Sequence, residues 1–303
     1  MIGITVRQIE VFVAVATSGS VRLAAERMHL TQPAVSMALA ELERQLGEPL
    51  FDRERGRLRL NAKGTEQLAS AQEVLERLQD MQFQRADAAT QLSGELRIGA
   101  SNTVGNYLVG ELLGPIVTRH PEVSLQLTVD NTRDITRRLL DHVIDLACVE
   151  GPVHHAQLKT LPWRHDELAV CAAPSHPLAS KKKLVPEDFA QAHWILRERG
   201  SATRSQTEQA LTALPPGRIV LELGQIESIK QAVIAGLGIA CLPYVAILDA
   251  VKTNRLCILQ TPFLRLDRRL SIVMHQTRYR GALINAFLRS LDVDADVDAN
   301  SAP

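Results

Sequence analysis

The first 47 residues constrain this chain most, because they hold three short helical patterns in close succession. Apolar side chains recur at spacings of three and four residues on one face of a first helix: Ile9, Phe12, Val13 and Ala16. Ser20 can cap a second helix over 21–28, and Thr31 can cap a third, whose first turn accommodates Pro33. Gly47 is typical of the residue that ends such a helix.

The second and third helices have the composition of a helix-turn-helix. The small pair Ala24-Ala25 allows two helices to cross at close range. The third helix places large apolar residues on one face and Gln32, Ser36 and Met37 outside that face. Short hydrogen-bonding side chains at an exposed helix N-terminus suit a DNA major groove about 12 Å wide. An ordinary three-helix bundle with solvated polar residues is the alternative interpretation.

A basic segment follows, FDRERGRLRLNAK over 51–63, with five basic residues against two acidic ones. Gly56, flanked by alternating arginines and leucines, predicts a small hairpin. With its basic side chains on one face, such a hairpin would form a wing that grips phosphates or enters a minor groove. The alternative is a solvated charged loop, since charge runs are usually solvated.

The whole-chain composition limits the possible functions without choosing one. The 34 basic and 34 acidic residues cancel, so nucleic-acid binding would have to be local. A hydrophobic fraction of 46% predicts packed cores and excludes wholesale disorder. The sequence has no apolar run long enough to span a membrane, and its first 20 residues do not resemble an export signal. We therefore expect a cytoplasmic protein.

The first 64 residues resemble the LysR-type transcriptional regulators in the order and spacing of their residues. The matching positions are Phe12, Ser20, Ala24-Ala25, Leu30, Thr31 through Ser36, Leu42-Glu43, Leu46-Gly47, Pro49-Leu50-Phe51, Arg53 and Gly64. The chain departs from the family pattern at Met37, where many members carry a polar or basic residue, and at Asn61, where Thr is usual.

This resemblance implies an α+β multidomain protein. In chain order, its implied parts are a winged helix-turn-helix (1–63), a dimerisation linker helix (64–92), a two-lobed α/β sensor built like the periplasmic solute-binding proteins (93–291), and a tail that we expect to be disordered (292–303). Lobe 1 would span about 93–162 and 267–291, and lobe 2 about 163–266. The implied DNA contacts are Ser20, Thr31, Gln32, Pro33, Ser36, Met37, Arg53, Arg55 and Arg57.

The sequence after residue 93 supports the sensor from its own pattern. Short apolar strands alternate with helices from 95 to 149, including one helix over 104–118. A second set begins near Trp163, with its first strand over 167–172, and the chain is expected to cross back near 263–268. Such alternation predicts parallel sheets that bind ligands at the carboxyl ends of their strands.

Residues 64–92 suit the linker because an apolar stripe follows a coiled-coil-like spacing. The stripe is Leu68, Ala71, Leu75 and Leu78, with Val74 and Met81 beside it. Two such helices would bury the stripe by pairing. The stripe could also pack against the sensor of its own chain, and the two arrangements are compatible.

Hydroxyl and amide side chains open one helix in each lobe. Ser101, Asn102 and Thr103 follow the first strand, and Ser201 and Thr203 open a helix of lobe 2. Facing helix N-termini with free N–H groups would clamp a small anion or carboxylate, and family members often contact the effector through matching hydroxyls. Plain helix capping is the alternative. Glu150, at the next strand end, would repel an anion unless paired, and Arg197, Arg199 and Arg204 are the expected counter-charges.

Other function classes fit less well. A solute-binding protein for transport would need an export signal and no DNA-binding domain. An enzyme is disfavoured because the densest titratable groups, His154-His155, His165 and Asp166, lack the spacing of a catalytic or zinc site. The four cysteines match no metal or disulfide pattern, so we expect buried thiols and no cofactor or metal. The implied partners are operator DNA, a small effector, further copies of the chain as a dimer of dimers, and RNA polymerase, with no membrane.

Overall fold

The structure, a computed structural model, describes residues 3–54, 57–83, 92–151 and 153–294. Its N-terminal part consists of three helices and a hairpin: α1 (Val6–Ser18), α2 (Val21–Arg27), α3 (Gln32–Leu46), β1 (Phe51–Glu54) and β2 (Arg57–Leu60). The two strands pair antiparallel, with Phe51 opposite Leu60. These elements are the helix-turn-helix and the wing that the sequence predicts.

Local capping explains where these helices begin and end. Ser20 Oγ accepts from the backbone N–H of Leu23, and Thr31 Oγ1 accepts from that of Ala34. Gly47 adopts φ +82° and ends α3, a left-handed conformation that favours glycine. Both predicted caps and the predicted stop are therefore confirmed. The three helices share one apolar core with the wing: Val11, Phe12, Val15, Ala24, Ala25, Val35, Leu39, Leu42, Leu50 and Phe51.

The linker helix α4 spans Ala62–Phe83, two residues earlier at its start than expected. Asn61 accounts for this start, because its Oδ1 accepts from the backbone N–H of Gly64 at 2.8 Å. Gly64 lets α4 pass close to the backbone at Leu50, since an added Cβ would overlap the carbonyl oxygen of Leu50 and lie 2.7 Å from Leu60 Cδ2. Residues 84–91, where the predicted linker continues, lie outside the described part of the chain.

Lobe 1 is built on a mixed sheet. Strand β3 (Gly94–Ser101) pairs parallel with both β4 (Val123–Asp130) and β5 (Leu146–Glu150), as the strand–helix alternation predicts. The late strand β11 (Asp267–His275) pairs antiparallel with β5. The covering helices are α5 (Asn102–Tyr107), α6 (Val109–Arg119), α7 (Thr132–Leu140) and α11 (Ala282–Ser290).

Two predictions for the sensor are corrected. The single helix expected over 104–118 is divided into α5 and α6 at Leu108, whose φ of −120° and ψ of 10° leave the helical region while its side chain enters the core. The strand expected over 167–172 begins at Leu158 instead, as β6 (Leu158–Ala172). Its first half contains Pro162 and several polar residues, so its sequence does not alternate cleanly.

Strand β6 joins the two lobes. Its first half pairs with β11 in lobe 1, and its second half pairs with β9 (Ala240–Pro243) and β10 (Cys257–Ile258) in lobe 2. One continuous strand therefore passes from lobe to lobe where the sequence analysis placed a boundary near Trp163. The return crossing lies in the segment before Asp267, as expected.

Lobe 2 adds strands β7 (His193–Arg197) and β8 (Arg218–Leu223), which pair parallel. A bridge from Trp194 to Ile239 connects them to the rest of the lobe. Its helices are α8 (Ala202–Leu211), α9 (Ile226–Ile234) and α10 (Tyr244–Lys252). The short strand β10 and helix α10 had no counterpart in the sequence analysis.

The cysteines have a structural role in lobe packing. Cys148, Cys171 and Cys241 are buried, as predicted, and Cys257 is half-buried. Burial raises the pKa of each thiol, which makes these side chains poor nucleophiles at neutral pH. Among the described residues, no cluster of three or more His, Cys, Asp or Glu side chains could hold a metal ion. Within the same residues, none of the helices combines the length and the apolar character that crossing a membrane requires.

Candidate DNA-binding surface and effector cleft

Helix α3 presents one polar face to solvent. Gln32, Pro33 and Ser36 are exposed at its N-terminal end, and Met37 is 73% exposed beside them. The opposite face holds Val35, Leu39 and Leu42 in the core. This division follows from the 3.6-residue period, and it leaves four of the predicted DNA contacts together on one surface.

Ser20 and Thr31 have a definite structural use at this surface. Each hydroxyl oxygen accepts a backbone N–H at a helix start, with distances of 3.4 Å for Ser20 and 3.3 Å for Thr31. Each hydroxyl proton remains free to be donated in another direction, because an O–H group both donates and accepts. Capping and phosphate contact are therefore compatible for these two residues.

The wing lies against the same domain. Arg53 belongs to β1 opposite Leu58, and Arg57 belongs to β2 opposite Glu54. Arg55, the third predicted contact of the wing, lies outside the described residues. Phe51 anchors the hairpin, because its ring meets that of Phe12 edge-on with centroids 5.8 Å apart.

The effector candidates of the two lobes meet in a buried hydrogen-bonded ring. Thr103 Oγ1 donates to Glu150 Oε1 at 3.0 Å, and Thr203 Oγ1 lies 3.3 Å from the same oxygen. Arg268 closes the ring: its Nη2 donates to Thr103 Oγ1 at 3.1 Å and its Nη1 donates to Thr203 Oγ1 at 2.9 Å. All four side chains are buried. One hydroxyl from each lobe thus touches the same carboxylate and the same guanidinium.

Arg268 is the central residue that the sequence analysis did not assign. Its Nε also pairs with Asp166 Oδ2 at 2.6 Å, and its Nη1 lies 3.9 Å from Glu150 Oε1. The sequence contains one signal for this assignment: Arg268 occupies an inward-facing position of strand β11, next to the predicted crossing between the lobes. A buried arginine requires acidic or hydroxyl partners, so that position marked a polar site inside the sensor.

The other effector candidates lie beside the ring without joining it. Ser101 and Asn102 are buried at the start of α5, and Ser101 Oγ has no hydrogen-bond partner among the described residues. Ser201 Oγ caps α8 by accepting from the N–H of Arg204 at 3.3 Å. Glu150 Oε2 is the second buried oxygen of this region that lacks a partner in the described residues.

The expected counter-charges of Glu150 are wrong. Arg197 pairs with the carboxylate of its neighbour Glu198, at 2.7 and 2.8 Å. Arg204 pairs with Glu208 and Glu222, each on the same lobe, and Arg199 is exposed. Arg268 is the counter-charge of Glu150 instead. It lies about 120 positions further along the chain, and strand pairing brings β11 beside β5.

The two lobes are closed on each other in this structure. The backbone N–H of Arg133 in lobe 1 donates to the carbonyl of Gly200 in lobe 2 at 3.2 Å. Gly200 has φ +98°, and an added Cβ would lie 3.0 Å from the Arg133 guanidinium, so glycine is needed there. On the other side of the cleft, Tyr107 Oη lies 3.4 Å from Glu227 Oε2.

A cavity of about 870 Å³ opens beside the ring, between α7 and α8. Its lining includes Gly151, Gly200, Ala202 and, of the four ring residues, Arg268, so the cavity lies next to the ring. Side chains of both lobes complete its wall: Thr132, Arg133, Thr136, Arg137, Leu140, Val153, His154, Thr160, Ser205, Gln206, Gln209, Asp267, Arg269 and Ser271. Its size suits a small organic molecule.

Comparison with known proteins agrees with this architecture. Residues 6–65 match the family model described as "Bacterial regulatory helix-turn-helix protein, lysR family", and residues 89–294 match the "LysR substrate binding domain". The chain belongs to the LysR family of transcriptional regulators. As a member of that family, it is a DNA-binding regulator with a C-terminal domain that binds small-molecule effectors.

Three relatives illustrate the likeness. The chain is 40% identical over 291 residues to the uncharacterized HTH-type transcriptional regulator YeiE of Escherichia coli K12, covering 95% of this chain and 96% of that one. A full-length single-residue variant of OxyR from Pseudomonas aeruginosa has a TM-score of 0.76 at 25% identity, covering 96% and 95% of the two chains. The CcmR regulatory domain of Synechocystis PCC6803, in complex with 2-PG, has a TM-score of 0.61 at 28% identity and covers 66% of this chain and 96% of that one.

Proposed function

We propose that this LysR-family regulator reads its operator with α3 and the wing, and that a small anion or carboxylate bound between the lobes switches its activity. The observation that carries the proposal is the ring of Thr103, Glu150, Thr203 and Arg268. In this ring, groups from both lobes converge on one carboxylate. In this proposal the chain acts in the cytoplasm and catalyses no reaction.

The DNA-reading step follows from the exposed face of α3. Gln32 can form two hydrogen bonds with an adenine edge, and Ser36 can reach a base or a phosphate. Met37 offers an apolar contact for a thymine methyl group. Arg53, Arg55 and Arg57 of the wing would hold the phosphate backbone, which adds affinity but little sequence preference.

The ligand class follows from what already fills the ring. Glu150 Oε1 lies within hydrogen-bond distance of a hydroxyl from each lobe, which is the environment that an oxygen atom of a bound anion would find. Arg268 supplies the positive charge, which it already shares with Asp166 and Glu150. An anionic effector would therefore displace the internal carboxylate or bind next to it and rearrange these bonds, with the 870 Å³ cavity taking the rest of an organic molecule.

Such a ligand switches the protein only through unequal affinity for two conformations. The closed lobes seen here, joined at Arg133 and Gly200, are one of these conformations. Opening of the cleft would separate Thr103 from Thr203, because each belongs to a different lobe. We therefore expect the effector to change how far the lobes close and, through the linker, how the DNA-binding domains are spaced.

Assembly of the regulator is also part of the proposal. Leu68 and Ala71 of the linker stripe pack into the DNA-binding domain of their own chain. Val74 and Met81 are 41% and 65% exposed on α4, and they mark the face that we expect to pair with a second chain. Two such dimers would form the tetramer that reads a two-fold symmetric operator and meets RNA polymerase.

The DNA assignment can be tested on a sequence selected by the protein from a random DNA pool. Gln32→Ala should weaken binding by about 1–3 kcal/mol and relax the preference at one base pair. Arg57→Ala should weaken binding to all sequences and flatten the salt dependence by about one charge. Unchanged preference in Gln32→Ala, together with an unchanged salt slope in Arg57→Ala, would refute the assigned surface.

The effector assignment can be tested by calorimetry on the full chain with a panel of inorganic anions and small carboxylates. Once a binding compound is found, Thr103→Val should abolish binding or weaken it strongly, because the variant keeps the shape and removes the hydroxyl. Thr118→Val is the matched control, since Thr118 lies exposed on α6 and bonds only its own helix, at the carbonyl of Gly114. Equal affinity of wild type, Thr103→Val and Ser201→Ala would place the effector elsewhere.

A further inference from the structure

The linker helix docks on lobe 1 of its own chain through polar groups. Gln72, Glu76 and Asp80 recur at spacings of four residues, so they share one face of α4. Gln72 Nε2 donates to the carbonyl of His142 at 3.1 Å. Asp80 accepts from Tyr279 Oη at 2.8 Å and from the backbone N–H of Ala282 at 3.0 Å. This face therefore meets the sensor along two turns of the helix.

Arg278 lies at the centre of this contact, and its side chain is only 5% exposed. Its Nη2 donates to Asp145 Oδ1 at 2.8 Å and also pairs with Glu76 Oε1. Asp145 is held independently by Arg97, through the backbone N–H at 2.8 Å and Nη2 at 2.5 Å. Two carboxyl groups and two guanidiniums thus form one cluster, in which Arg278 is hydrogen-bonded to the linker side chain Glu76.

We propose that Arg278 is a positioning residue that locks the linker helix to lobe 1 and thereby sets the direction of the DNA-binding domain relative to the sensor. The lock is polar, and polar interfaces between domains release more readily than apolar cores. It holds the C-terminal half of α4, while Leu68 in the N-terminal half packs into the DNA-binding domain. Helix α4 therefore connects the lock to the domain that it orients, and an ion pair from Arg27 to Glu95 also joins that domain to lobe 1.

The place of Arg278 in the chain connects it with the cleft. Strand β11 begins next to Arg268, the guanidinium of the ring, and ends at His275, and Arg278 lies in the turn that follows. The strand lies inside the lobe 1 sheet between β5 and β6, which makes it a stiff element. If the proposed effector acts on the ring, this strand carries a displacement of Arg268 to the lock, a step that rests on the proposed function.

Removal of Arg278 should release the linker and leave the sensor folded. Asp145 keeps its bonds from Arg97, so Arg278→Ala leaves no unpaired carboxylate inside lobe 1. Glu76, in contrast, loses its guanidinium partner and would remain desolvated in the docked state. At a pH above its raised pKa, an unpaired Glu76 carboxylate favours the state in which it reaches water, which here is the undocked helix, so the experiment is done at alkaline pH.

The experiment measures the distance between the DNA-binding domain and lobe 1 in the full chain, without DNA or effector. Spin labels are placed by Ala40→Cys and Glu122→Cys, both exposed, in a Cys257→Ser background, since Cys257 is the half-buried thiol. Labelled chains are diluted into unlabelled ones so that only distances within one chain are recorded. Because neither DNA nor effector is present, failure of this test is separate from failure of the proposed function.

The labelled chain with Arg278 and Glu76 intact should give one narrow distance distribution. Arg278→Ala should at least double the width of this distribution. Glu76→Lys should have the same effect, because it places a positive charge on the linker next to Arg278. This variant leaves the sensor sequence intact. Arg278→Lys keeps the charge and should restore most of the narrow distribution. Arg164→Ala is the control, because it removes an exposed lobe 1 ion pair with Glu111.

A positioning role also requires that the sensor itself is unaffected. The fluorescence of Trp163 and Trp194, both in the sensor, should report the same urea midpoint for Glu76→Lys and for wild type. The proposal is overturned if Arg278→Ala and Glu76→Lys leave the distribution as narrow as wild type, or if Arg164→Ala broadens it equally.

Discussion

Replacement of Thr103 by valine tests the ring directly, because the two side chains have nearly the same shape. The Thr103 hydroxyl accepts from Arg268 Nη2 at 3.1 Å and donates to Glu150 Oε1 at 3.0 Å. Thr103 is fully buried, so water cannot replace either bond while the lobes are closed. Valine would leave two charged groups each with one fewer partner.

The expected loss of stability follows from the type of these bonds. A hydrogen bond to a charged group contributes about 1.5–3 kcal/mol to stability. Arg268 keeps its bonds to Thr203 and Asp166, and Glu150 keeps its bond to Thr203. We therefore take the contribution of each lost bond near the lower limit of this range. We therefore expect Thr103→Val to reduce the free energy of unfolding of the sensor by about 3 kcal/mol, equivalent to about 6–12 °C in Tm for a domain of this size.

The assay is urea unfolding of the full chain followed by tryptophan fluorescence. Both tryptophans, Trp163 and Trp194, lie in the sensor, so the signal reports this domain alone. Thr103→Ser keeps the hydroxyl and should lose about 1 kcal/mol or less, from its missing methyl group. A loss below about 0.5 kcal/mol for Thr103→Val, the range of ordinary surface changes, would show that the hydroxyl does not bridge these charges in solution.

Three further predictions concern the linker. Gly64→Ala should destabilise the DNA-binding domain and abolish operator binding, because the added Cβ overlaps a backbone carbonyl. Gly114→Ala is the control: it has open space around it in α6 and should raise Tm slightly. Thermal unfolding and DNA binding of both variants test this prediction. Burial, reinforced by repulsion from a neighbouring acid, raises the pKa of Glu76 from 4.5 to about 7, so the docked linker binds this proton more tightly than the released linker does. Docking stability from this group is therefore lost as the pH rises from 4.5 to 7, and lowering the pH from 8 to 6 should favour docking in wild type relative to Glu76→Gln by about 1.4 kcal/mol. The width of the spin-label distance distribution at the two pH values measures this, and parallel pH profiles would contradict it. Val74→Asp with Met81→Asp should reduce the oligomer mass in light scattering, and an unchanged mass would move the pairing face elsewhere on the chain.

The DNA-binding domain could be predicted closely because its determinants are local. Ser20 and Thr31 cap helices three residues away, and Gly47 ends α3 by its own backbone conformation. Helix periodicity likewise assigns Val35 to the core and Ser36 to solvent. Sequence separation of three or four residues is enough to determine each of these features, so no tertiary information was required.

The long strand β6 shows where local patterns are insufficient. Its first half contains Pro162 and a bulge opposite Leu270 and Ser271, so its residues do not alternate in the manner of a strand. Pairing with β11, more than 90 positions later, nevertheless keeps it extended. The break between α5 and α6 is similar, because burial of Leu108 in the lobe core decides it rather than helix propensity.

By itself, the sequence determined which residues are available to the two functional surfaces: the exposed polar face of α3, and the hydroxyl groups Thr103 and Thr203 at the helix starts. Only the tertiary structure decided what these groups touch. Thr103 meets Glu150 across 47 positions and Arg268 across 165, and the linker meets Arg278 across 202. The physical reason is that buried charges are stable only when opposite charges and hydroxyls surround them, and strand pairing and lobe closure, rather than spacing along the chain, bring those partners together.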